Sequence, residues 1–173
     1  MVNRHRKVTM IMDSMSENEA LARTVVSAFI APLDPSLDVL TDIKIAVSEA
    51  VTNAVIHGYK SGGGEIELSM VLMDRKLRVT VTDHGVGIAD VNQAMEPLYT
   101  TSSPEMERAG MGFTVMESFM DEVKVVSSPG GGTIVEMAKD LTAGRSGAAG
   151  RSGATGGAGT ARWSGAAEGS DAK

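Results

Sequence analysis

The sequence predicts an α+β two-layer sandwich: a mixed, mostly antiparallel sheet with helices on one face. Three observations predict it. Two amphipathic helical runs come early in the chain, period-two alternation follows them, and few helical stretches separate the later strands. Strands joined by short turns pair antiparallel, and helices gathered on one side of the sheet bury its apolar face.

The elements follow in order. Lys7–Met12 reads as a strand. Ser16-Glu17-Asn18-Glu19 has capping-box spacing, and Leu21, Val25, Ala28 and Phe29 follow at i, i+4, i+7 and i+8. That pattern predicts an amphipathic helix, which Pro32 and Pro35 stop. A second helix is expected from about Leu37 to His57, with Leu40, Ile43, Val47, Ala50, Val51 and Ala54 on its buried side and Gly58 as its C′ residue. Ile66, Leu68, Met70 and Leu72 alternate, Asp74-Arg75-Lys76 turns the chain, and Leu77, Val79 and Val81 alternate again, which predicts a hairpin. Residues 97 to 110 read as irregular. A helix over Gly112–Met120 and two strands, Val123–Ser127 and Thr133–Lys139, close the pattern, the strands joined by Pro129-Gly130-Gly131-Gly132.

Composition changes sharply after Leu141. The stretch 142–173 is almost wholly Gly, Ala, Ser, Thr and Arg, with a tandem AGRSGA hexamer and Trp163 as its one large apolar side chain. Such a segment cannot bury enough surface to offset its ordering entropy, so the expected division is a folded domain over 1–141 and a disordered tail over 142–173. The 173 residues hold no cysteine, which excludes disulfides and thiolate chemistry and fits a cytoplasmic protein. No run of eighteen apolar residues exists, so no membrane span is expected. A net charge of −6 argues against duplex nucleic acid as a direct partner.

Four short patterns bear on chemistry. Glu49, Asn53 and His57 recur every four residues and share one helix face. An amide oxygen is a hard ligand suited to Mg²⁺, and a carboxylate one turn away can accept a proton from an attacking hydroxyl. The same spacing also occurs on solvated helix faces. Asp83, with Gly85 and Gly87 after it, offers a carboxylate for an exocyclic amine beside a backbone that can approach a flat ring, although Asp and Gly also suit a plain turn. Gly110-Met111-Gly112 opens a helix and frees backbone N–H groups for phosphate. It is neither a Walker A loop nor the six-residue Rossmann fingerprint. Gly131-Gly132-Thr133 is the fourth pattern, equally explained by a hairpin.

Taken in order along the chain, these patterns resemble the Bergerat-fold ATPases and kinases, and within them the sporulation anti-sigma serine kinases of bacteria. The stretches SENEALARTVVSAF, SEAVTNAVIHGY, GVGI, PLYTT and ERAGMGFTVMESFMDEV carry the resemblance, which spans roughly Arg4 to Leu141. It implies an ATP- and Mg²⁺-dependent protein serine kinase. Glu49 is then the catalytic base, Asn53 the Mg²⁺ ligand, and Asp83 the acceptor for the adenine amine, with Gly85 and Gly87 lining the base pocket. Gly110 and Gly112 border the phosphates under a lid of about 97–109, Arg108 reaches the γ-phosphate, Thr133 closes the adenine side, and Arg23 contacts a partner. The implied partners are a sigma factor, an anti-anti-sigma protein as substrate, and a second copy in a homodimer.

The chain departs from the family pattern in three places. His84 stands where an acid is expected, the lid lacks a lysine and is one residue longer, and the tail has no counterpart. Two other readings share this fold: a general-stress kinase, and a binding-only anti-sigma protein, against which the presence of Glu49 speaks. A sensor histidine kinase needs a phosphoacceptor His in a dimerisation helix, and His5, His57 and His84 have no such context.

Overall fold

The computed structural model describes residues 5–60, 62–96 and 111–142. Its first strand, β1 (His5–Asp13), is followed by helix α1 (Asn18–Ile30), a short 3₁₀ turn (Ala31–Leu33) and helix α2 (Leu37–Asn53). Then come strands β2 (Glu65–Met73) and β3 (Lys76–Asp83), helices α3 (Val91–Met95) and α4 (Gly112–Phe119), and strands β4 (Glu122–Ser127) and β5 (Thr133–Asp140). The sheet order is β1-β2-β3-β5-β4. Every pairing is antiparallel, so the mixture of directions expected from the sequence is absent among the described strands.

One sheet face is covered by α1, α2 and α4. Ile66, Leu68, Met70 and Leu72 of β2 and Leu77, Val79 and Val81 of β3 point into that layer, meeting Ile43, Val47 and Val51 of α2 and Met116 of α4. The alternation of β2 and β3 is thus read correctly, because a half-buried strand leaves a period of two in the sequence. The two-residue turn between them works because Asp74 adopts φ 55°, and Asp is among the residues that tolerate the left-handed region. Its neighbour Arg75 ties the layers together, donating to the carbonyls of Leu33 and Leu141.

Several expectations need correction. The capping box is not made: α1 has no side-chain cap, and Glu19 turns to Arg23 instead. The buried stripe of α1 is Ala22, Val26, Phe29 and Ile30, while Leu21 is exposed. A spacing of 3.6 fits either start, and the docked helix turns the small Ala22 inward. The α-helical part of α2 ends at Asn53, and Ala54–Gly58 widens into a π turn, a form concentrated at functional sites. Gly58 is not a left-handed C′ residue; its backbone has no positive φ. The short helix α3, capped by Asp90 Oδ1 accepting from the Gln93 N–H, was not anticipated. Among the described residues no helix is long and apolar enough to cross a membrane.

Candidate functional site

A cavity of roughly 600 Å³ opens between the end of α2, the end of β3 and the start of α4. Apolar side chains such as Val81, Ile88, Phe113 and Val135 share its wall with Asn53, His57, Asp83 and Thr133. A mostly apolar pocket of this size with a few convergent polar groups is the usual form of a small-molecule site.

Asp83 closes β3 and is buried. Its Oδ1 accepts from the Gly85 N–H at 2.9 Å. Burial pushes its carboxyl above the usual carboxylate range, opposed by the N–H groups of Gly85 and Thr133 and by the nearby His84. The glycines around it are required by space. A methyl group at Gly58 would stand 2.8 Å from Asp83 Oδ1, and one at Gly85 would stand 2.1 Å from the Gly58 carbonyl oxygen. Gly87 takes φ 69° with the Ser128 carbonyl against it. These close approaches bring the end of β3 against the end of α2, which explains Gly58 better than a helix-capping role.

Thr133 opens β5 directly opposite Asp83 in the sheet register and is also buried. Its hydroxyl lies 3.0 Å from that of Ser127. Ser127 in turn donates to the Gly132 carbonyl and accepts from the Ile88 N–H, so it knits the loop after β3 to the β4–β5 hairpin. Sequence reasoning missed Ser127; a serine at a strand end carries no signal of that role.

On α2, Glu49 and Asn53 come together at the start of α4. A methyl group at Gly112 would lie 3.2 Å from Glu49 Oε2 and 3.2 Å from Asn53 Oδ1. A side chain at position 112 would have to push this carboxylate and amide aside by a few tenths of an ångström. Burial raises the proton affinity of Glu49, and the negative charge of Glu19 raises it further. Burial lowers that of His57, which favours its neutral ring. A carboxylate of raised proton affinity beside an amide oxygen and exposed helix N–H groups can accept a proton next to a polyanion.

Seven of the expected site residues therefore gather: Asn53, Asp83, Gly87, Gly112 and Thr133 line the cavity, Glu49 stands beside Asn53 at Gly112, and Gly85 is bonded to Asp83. Arg108 and Gly110 lie outside the described residues, as does the expected lid. Arg23 does not line the cavity; it reaches from α1 to Glu19 and to Ser48 Oγ at 3.0 Å, beside Glu49 in the chain. The first helix is therefore close to Glu49, although none of its residues lines the cavity.

A family described as histidine kinase-like ATPase domain matches residues 13–139. The anti-sigma F factor of Pasteuria penetrans is 57% identical over 145 residues, covering 83% of this chain and 96% of that protein. The anti-sigma F factor of Clostridium acetobutylicum is 56% identical over 124 residues, 72% of this chain and 86% of its own length. A solved structure of the RsbU and RsbW domains of a Mycobacterium tuberculosis protein has a TM-score of 0.55 at 20% identity, over 79% of this chain and 32% of that one. At that identity the likeness concerns the fold alone.

Proposed function

Because this chain belongs to the anti-sigma F factors, within the histidine kinase-like ATPase domains, we propose that it binds a sporulation sigma factor and phosphorylates an anti-anti-sigma partner on serine with Mg-ATP. The observation that carries the kinase reading is the meeting of Glu49 and Asn53 at Gly112, beside a cavity that Asn53, Gly112 and Asp83 line.

In this reading Asp83 accepts the amine of adenine, with Gly85, Gly87 and Thr133 shaping the base pocket. The backbone at Gly110 and Gly112 borders the phosphates, and Arg108 spreads its charge over the γ-phosphoryl group. Glu49 takes the proton of the partner's serine as its oxygen bonds to the γ-phosphorus and the bond to the β–γ bridging oxygen breaks, so that ADP leaves. The transition state needs little covalent help, and the chain's contribution is positioning and charge.

The donor set fits Mg²⁺. Among the described residues no group of three His, Asp or Glu side chains could hold a metal by itself. A single amide oxygen suits an ion that takes most of its ligands from phosphate and water, and Asn53 supplies it. When bound, the ion neutralises charge building on the phosphates. Arg23 contacts the partner protein, and two copies grip one sigma factor.

The test is to mix the protein with ATP, Mg²⁺ and a candidate anti-anti-sigma protein of the same organism, and to look for phosphoserine by mass spectrometry. Phosphoserine on the partner is the expected result. Sigma-factor binding without any phosphoserine favours the binding-only reading instead.

A further inference from the structure

The end of the helix that carries Asn53 and the loop that carries Asp83 are stitched together at three points. The Val86 N–H donates to the Gly58 carbonyl at 2.9 Å. Gly85 packs directly on Gly58. The third point is the side chain of Tyr59. Its hydroxyl accepts from the His84 N–H at 2.9 Å and donates to the Glu65 carbonyl at 2.5 Å. The ring is held against Gly64, where a methyl group would fall 2.1 Å from ring atom Cε1. One hydroxyl thus joins the end of α2, the start of β2 and the end of β3, without lining the cavity.

We propose that Tyr59 is a positioning residue for nucleotide selection, fixing the Asp83 carboxylate in the orientation that separates adenine from guanine. His84 is the residue next to Asp83, so the Tyr59 bond sets the peptide plane on which that carboxylate is mounted. On its other side the Asp83 carbonyl is packed by Gly132, where a methyl group would stand 2.1 Å away. Asp83 is therefore clamped between Tyr59 and Gly132, with its own Oδ1 tied to the Gly85 N–H. Adenine presents an amine donor at the position where guanine presents a carbonyl oxygen, which a carboxylate repels. Discrimination of that kind depends on placement, and a shift of about 1 Å is enough to erode it. The inference rests on the reading of Asp83 as the adenine acceptor.

The experiment measures ATP and GTP dissociation constants by calorimetry on the full chain and on Tyr59→Phe. Phenylalanine keeps the ring on Gly64, so the fold is retained while both hydroxyl bonds are lost. ATP binding is expected to weaken roughly tenfold, and the preference for ATP over GTP to fall by a similar factor, as for one lost polar contact. Gly64→Ala, which keeps the hydroxyl on the residue but pushes the ring and the hydroxyl with it out of position, is expected to lower the preference as well. Equal weakening of both nucleotides in Tyr59→Phe marks a merely structural role and overturns the proposal, as does an unchanged preference. Asp83→Ala, which removes the acceptor altogether, separates the two readings in the same series. If it retains the parental preference, the adenine assignment itself fails. If it loses the preference while Tyr59→Phe does not, only the role of Tyr59 is refuted.

Discussion

Glu49 holds its proton to a higher pH than a free glutamate, first because it is buried and then because Glu19 faces it from α1. The sign follows: the basic, unprotonated form is lost as pH falls through this raised value, so the acid limb of the phosphotransfer profile lies above the ordinary glutamate range. Removing the neighbouring charge with Glu19→Gln is expected to move that limb to lower pH, read from single-turnover rates across pH. Glu49→Gln keeps the size and loses the proton acceptor, and phosphoryl transfer is expected to fall about 10²–10⁴-fold while ATP binding survives. A parental rate in that variant refutes the role of Glu49 as base. The pairing of Glu49 with Asn53 on one helix face was legible because it sits on a local spacing of one helical turn. What was not legible is the close packing of Gly112 on Glu49 and Asn53, since that contact spans from residue 49 to residue 112.

The element that departs furthest from the sequence reading is the end of α2. A pattern of apolar residues continues smoothly past Asn53, so periodicity alone extends the α-helix to His57, but the last turn widens to a π turn. It does so where Gly58 meets the carboxylate of Asp83. Gly58→Ala is expected to destabilise the fold by about 1–3 kcal/mol, the usual cost of overpacking, and to weaken ATP binding with it. Thermal melting and a nucleotide titration on the same sample check both. A different outcome is expected on α1, where Arg23 lies at the seam with α2 and does not line the cavity. Arg23→Ala should weaken partner binding and leave ATP affinity near the parental value. A pull-down beside a nucleotide titration tests this, and loss of both functions together would show that the Glu19–Arg23–Ser48 bridge supports the fold instead.

At the scale of the whole molecule, Leu141 is fully buried and bonded to Arg75 through its N–H and its carbonyl, so the last core residue among the described ones lies where composition changes. Removing residues 142–173 is expected to leave melting temperature and nucleotide affinity nearly unchanged, because that segment has little apolar surface to bury. Emission from Trp163, the sole tryptophan, should accordingly be that of a solvated indole; a blue-shifted band that reddens on denaturation would sink the expectation. By itself the sequence determined the α+β class, the hairpin of β2 and β3, the helical face bearing Glu49 and Asn53, and the loop glycines after Asp83. Each of these is written in a spacing of two, four or fewer residues, and local backbone geometry reads such spacings directly. Only the tertiary structure decided the strand order that sets Thr133 opposite Asp83, the rotation of α1 that buries Ala22, the bonding of Ser127, and the bridge from Tyr59 to His84. Those depend on groups far apart in the chain that meet when the helical layer closes on the sheet, and no local pattern encodes which side chains will then lie within hydrogen-bond reach.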